Sequence, residues 1–195
     1  MKIRIWAVLS TFISIFVSCS VLAHPGHHSH SVLADSLLSG LIHPVTGVDH
    51  LIMLAAFGVI LGCIEVSRYK KMTLAAVALS ALMVGLTVGQ GVGYSAIVEP
   101  MIIVSLFMVS LAVWLVFSPS QKRVNTAIYA SIGMMFFHGY AHGVEATSQI
   151  AQFAAGMLIS AGLLMTVGSA LGYFAKTKWL SVGVALASAL FLLVV

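Results

Sequence analysis

Apolar runs separated by short polar breaks divide this chain into its elements. The runs at approximately 47–64, 72–92, 97–117, 124–143, 150–175 and 179–195 are each close to the length that crosses a hydrocarbon core, and they predict six transmembrane helices. Residues 32–42 are also apolar but too few to span, which predicts a re-entrant or interfacial half-helix leading to His43. Connections between the runs are short, so consecutive helices should pack antiparallel. Gly85, Gly89, Gly91 and Gly93 in the second run, and Gly156, Gly162, Gly168 and Gly172 in the fifth, would let neighbouring helices approach closely.

The chain opens differently. Lys2 and Arg4, an apolar stretch at 6–17 and the small-residue site Val21-Leu22-Ala23 have the form of a secretory signal, cleaved to leave His24 at the mature N-terminus. A lipoprotein anchored at Cys19 ranks second, because Phe16-Val17-Ser18 is a poor lipobox; an uncleaved extra helix ranks third. The expected organisation is a signal peptide at 1–23, a His-rich periplasmic segment at 24–31 and a six-helix transmembrane domain at 32–195. His24-Pro25-Gly26-His27-His28-Ser29-His30 reads equally as a loose metal-binding tract and as a solvated tail.

Composition fixes the class. With 61% hydrophobic and 7% charged residues among 195, the chain cannot hide its apolar surface as a soluble domain. The expected fold is all-α, a polytopic membrane helix bundle. A net charge of +4 does not point to nucleic acid, because of where the charge lies. Beyond the signal, the basic residues are Arg68, Lys70, Lys71, Lys122, Arg123, Lys176 and Lys178, all in the loops after the first, third and fifth spans. The positive-inside rule puts those loops in the cytoplasm and the mature N-terminus in the periplasm, as for an inner-membrane protein of a bacterium. Of the two cysteines, Cys19 leaves with the signal and Cys63 is embedded, so no disulfide is expected.

The remaining polar groups sort by membrane face. His43, Asp49 and His50 fall at the outer end of the first span, Glu99 opens the third, and His138, His142 and Glu145 close the fourth. Histidines satisfied in a core would not segregate in this way, and ionisable groups beside a span mark function by default. Locally, Pro44 should end any helix at His43, and Thr46 with Asp49 has the form of a capping box starting a new helix at about Gly47. Asp49 alone fits a helix cap as well as a ligand. His138 and His142 stand at i and i+4 on one helical face, a spacing suited to gripping one ion. Imidazole with carboxylate suits Ni²⁺, Co²⁺, Zn²⁺, Cu²⁺ or Fe²⁺, and the ligand set does not choose among them. Met53, Met134 and Met135 are better explained as apolar filling than as soft contacts.

His-Pro-x-x-Gly-x-Asp-His at 43–50 and His-Gly-x-Ala-His-Gly-x-Glu at 138–145 resemble the motifs of the HupE/UreJ family of nickel permeases, and the resemblance runs from about residue 24 to the end. It implies secondary transport of nickel, in some members of cobalt or another divalent metal, supplying hydrogenase or urease maturation. Carried over, the metal residues would be His43, Asp49 and His50 in the first motif and His138, His142 and Glu145 in the second. Glu99 resembles an acidic position opening the family's third span, and Tyr140 stands where some members carry His.

The expected activity is import of a divalent cation, Ni²⁺ first, captured by the tail (His24 included) and the outer clusters and passed inward between the first and fourth spans. Its partners would be that ion and the lipid bilayer, with no nucleic acid and no cofactor in a catalytic sense; a homo-oligomer is compatible with the sequence. The chain has no Gly-x-x-x-x-Gly-Lys-[Ser/Thr] loop for ATP. It also lacks His-Glu-x-x-His, which counts against a metallohydrolase. A membrane-held metal binder or sensor needs the same outer ligands and is the rival reading. Binding should weaken near pH 6 and below, as imidazoles take up protons. Deleting residues 24–30 should weaken uptake at low metal yet spare it at saturating metal, measured as initial rates; loss at saturation would make the tail part of the path.

Overall fold

The computed structural model describes residues 32–145 and 149–193, with the backbone alone at 32–34 and 145. The expected signal peptide and His-rich segment, with His24, lie outside the described residues. Among the described residues the fold is all-α, with seven helices and no strand. In order they are α1 (Val32–Thr46), α2 (Val48–Cys63), α3 (Arg68–Val92), α4 (Val98–Leu115), α5 (Gln121–Glu145), α6 (Ile150–Ala175) and α7 (Leu180–Leu192). By length and apolarity α3, α4 and α6 can each cross a membrane, and α1 with α2 makes a fourth crossing if the bent pair is one span. The expected half-helix and six further helices all have counterparts, but α2 meets that test only together with α1, and α5 and the short α7 do not meet it.

The bend between α1 and α2 departs from the sequence reading. Pro44 does not stop the helix at His43: α1 runs on to Thr46 with Pro44 inside it. The pre-proline preference of His43 is outweighed locally, because the Gly47 amide still donates to the His43 carbonyl at 2.8 Å. Nor does Thr46 cap α2. Its hydroxyl turns back onto the Ile42 and His43 carbonyls, at 3.3 and 3.2 Å, as a second donor at the His43 carbonyl beside the Gly47 amide. Gly47 alone leaves the helical region (φ −73°, ψ 103°), and α2 begins without a side-chain cap. The two axes meet at 75°.

Helix pairs dock backbone to backbone. A Cβ on Gly85 or Gly89 of α3 would strike the carbonyls of Phe136 and Tyr140; one on Gly139 or Gly143 of α5 would strike those of Leu82 and Leu86. Gly58 and Gly62 of α2 face Met165 and Ser169 of α6 in the same way, and Gly168 and Gly172 return the contact onto Ala55 and Val59. Gly156 likewise meets α1 at Leu37. Small residues spaced four apart thus seat two helix pairs at close range. Gly91, Gly93 and Gly162, expected to do the same, face open space instead.

One end of the bundle is basic. Lys176, after α6, bonds Glu65, after α2, at 2.9 Å; Lys71 reaches the Gly62 carbonyl; Lys178 lies over the Trp114 ring at the end of α4. The ion pair holds the Glu65 carboxyl below its ordinary range and lifts Lys176 above its own. The N-terminus of α2, with Asp49 and His50, is at the opposite end of that helix. Between the two ends, valines, leucines and phenylalanine such as Val84, Val88, Leu111, Phe107, Leu163 and Leu190 stand exposed on the bundle's flanks, a surface suited to acyl chains.

Gly139→Ala should destabilise the fold by the ~1–3 kcal/mol typical of forced overpacking, read as a lower melting temperature in detergent. Gly162→Ala, facing open space, should leave it unchanged or slightly raised. Equal effects of the two would refute the close-docking account.

Candidate metal centre

Two buried helix faces lead into the centre. α2 is buried almost all round from His50 to Cys63, so His50 is enclosed wherever it points; on α5, Val124, Ile128, Ser131, Met135, His138 and His142 are buried at alternating steps of four and three. On α5 that spacing keeps one face against its neighbours. Both helices are mostly apolar along their buried length, and each turns to histidine at the end away from the lysines. His50, His138 and His142 are thus enclosed, at 7%, 1% and 1% exposed. The corner at Gly47 adds His43 from the last turn of α1.

Four imidazoles meet there. Ring centroids lie 4.3 Å apart for His50 and His142, 4.4 Å for His43 and His142, 4.8 Å for His50 and His138, and 5.6 Å for His43 and His50. Two sets of three offer ligand atoms within 4.8 Å of one another: His43, His50 and His142, and Asp49, His50 and His138. Ligands at about 2.1 Å from one ion lie at most about 4.2 Å apart, so small side-chain movements would close either set. His50 belongs to both.

Hydrogen bonding in the cluster is incomplete in a telling way. His50 Nδ1 is 2.9 Å from an Asp49 carboxylate oxygen, and His138 Nε2 is 2.8 Å from the Ser105 hydroxyl on α4. His50 Nε2, His138 Nδ1 and both ring nitrogens of His142 are buried without a hydrogen-bond partner. Each such atom costs roughly 1–3 kcal/mol, and native cores rarely gather several in one place. Divalent-metal coordination would satisfy lone pairs of this kind. Phe153 of α6 stands over the cluster, 5.9 Å from the His142 ring and 6.0 Å from His43. Met53 and Met135, one turn inward from His50 and His138, are fully buried in the apolar core with Phe57 and Ile60.

Of the residues singled out from sequence, His43, Asp49, His50, His138 and His142 come together. Glu99 is exposed in the first turn of α4 and belongs to neither set. Glu145 closes α5 three residues beyond His142. Tyr140 is buried away from the cluster, its hydroxyl donating to the Gly93 carbonyl at 2.8 Å. Sequence reasoning missed Ser105, whose one signal is a hydroxyl within an apolar run. It also missed the tight seat at Gly47, where a Cβ would lie 3.0 Å from His50 Nδ1 and 3.3 Å from the Asp49 carboxylate.

A bundle of apolar helices enclosing a histidine–carboxylate cluster at one end defines a multi-pass membrane protein with a polar centre inside its own fold. The chain belongs to the HupE/UreJ family: the family model described as HupE / UreJ protein matches residues 12–194, which include both histidine motifs. It is similar to Protein HupE of Rhizobium leguminosarum bv. viciae, at 29% identity over 154 residues, covering 75% of this chain and 72% of that one. No solved structure matches it.

His50→Ala and His142→Ala should each weaken Ni²⁺ or Co²⁺ binding to the purified protein by more than tenfold in calorimetric titration. Tyr140→Phe should leave it within twofold, because that hydroxyl is engaged elsewhere. A tenfold loss in Tyr140→Phe would place Tyr140 in the centre.

Proposed function

We propose that this chain is a secondary transporter that imports a divalent transition-metal cation, Ni²⁺ foremost, from periplasm to cytoplasm across the inner membrane. The observation that carries the reading is the set of buried imidazole nitrogens without partners, contributed by α2 and α5 and meeting at the end of the bundle away from the lysines. Family membership and the basic opposite end support it. His43, Asp49, His50, His138 and His142 replace part of the ion's water shell, with Glu145 and Glu99 as outer carboxylates and the His24 tract as a collector. Two charges moving through about 100 mV gain roughly 4.6 kcal/mol, enough to direct uptake without ATP. The delivered metal then supplies hydrogenase or urease maturation. The protein is not an enzyme on this reading.

One observation favours a second reading. Met53, Phe57 and Met135 close the core directly beneath the centre, as in a protein that binds or senses the ion and does not pass it. For transport, α2 and α5 must part at these residues during the cycle.

Proteoliposomes with an inside-negative potential separate the two. A permease fills the lumen with Ni²⁺, and His50→Ala or His142→Ala stops filling while the protein still inserts; a sensor binds metal with the lumen empty. Competition by Co²⁺, Zn²⁺, Cu²⁺ and Fe²⁺ in the same assay ranks the substrates.

A further inference from the structure

Ser105 is fully buried on α4, and its hydroxyl oxygen has two close neighbours: the Ile102 carbonyl at 2.5 Å and His138 Nε2 at 2.8 Å. A serine hydroxyl has one proton to donate. Two oxygens at 2.5 Å repel unless a proton lies between them, so that proton is committed to Ile102. The Ser105 oxygen is then an acceptor towards His138, and His138 Nε2 carries the hydrogen. A neutral imidazole protonated at Nε2 has its lone pair on Nδ1, and Nδ1 is the His138 atom that is buried and unpartnered.

We infer that Ser105 is a positioning residue that locks His138 in its Nε2–H tautomer, so that the ring offers Nδ1 to a divalent cation. The inference rests on the reading that this centre holds a metal. It deepens that reading by naming the ligating atom and the group outside the cluster that selects it. Asp49 does the complementary work on His50. An ionised carboxylate only accepts, so His50 Nδ1 donates to it and Nε2 is left with the lone pair. The two rings are thus held to present opposite nitrogens, Nδ1 of His138 and Nε2 of His50. His142, with neither nitrogen bonded, has no such bias. Partners of this kind fix ring orientation as well as tautomer, and losing one typically weakens metal binding about 10–100-fold.

The test uses the full-length protein in lipid nanodiscs with ¹⁵N-histidine, the His138 resonances being those absent from His138→Ala. Before metal is added, the wild type should show the proton on Nε2 and a bare Nδ1. Ser105→Ala should show a mixture of tautomers, and Ser105→Thr, which keeps the hydroxyl, the wild-type form. Titration with Co²⁺, read by its visible absorption, should find Ser105→Ala weaker by about 10–100-fold. Ser105→Thr should lie near wild type, and Ser105→Ala should add nothing in the His138→Ala background. A wild-type His138 protonated on Nδ1 overturns the inference even if every variant misfolds. So does wild-type affinity in Ser105→Ala, or an equal loss with and without His138. Uptake is a separate readout: binding with these signatures but no vesicle filling removes the permease and leaves Ser105 in its role. Vesicle filling with an unaffected Ser105→Ala does the reverse.

Discussion

A nitrogen lone pair shut inside apolar protein has nowhere to go, and this chain shuts several of them into one place. Burying a polar group without a partner is opposed by its lost hydration. His50, His138 and His142 nonetheless sit in buried positions of the kind that Met53, Ile60, Ile128 and Met135 fill further along the same two helices. Packing periodicity alone would fill those positions with apolar side chains at lower cost. The cluster is therefore a cost that the rest of the fold offsets, and the surrounding structure is best understood by how it holds His138 and His142 at ring-centroid separations of 4.8 and 4.3 Å from His50.

Two devices do so. Close docking of α3 on α5 through Gly85, Gly89, Gly139 and Gly143 fixes the height and rotation of the helix carrying His138 and His142. The corner at Gly47 bends α1 by 75° from α2, so that residues seven apart in sequence, His43 and His50, face each other. Neither device supplies a ligand. Both make the ligands converge without a loop, and rigid helices place side chains more reproducibly than loops do.

Much of this was legible in the residues. The apolar runs gave the helices nearly in place: α6 spans 150–175 as expected, and α2 starts one residue after the expected position. The sorting of histidines away from lysines foretold that two distant motifs would share one end of the bundle. What could not be read was local competition for hydrogen bonds. Thr46 and Asp49 have the right spacing for a capping box, but Thr46 bonds backward to Ile42 and His43, and Asp49 turns to His50. The outcome depends on where α1 ends in space, which spacing does not encode. Gly91, Gly93 and Gly162 mislead for a related reason: a glycine shows that a close approach is allowed, while the partner that uses it comes from tertiary packing. Ser105 was invisible because its partner lies 33 residues away.

His50 stands in both ligand sets but has a single uncommitted nitrogen, the other being spent on Asp49. One lone pair cannot serve two cations. A metal held by either set would deprive the other of its shared member, so the two sets are alternatives and not two independent sites. Metal binding to such a centre would follow a plain hyperbola, without cooperativity, because occupancy of one set excludes occupancy of the other.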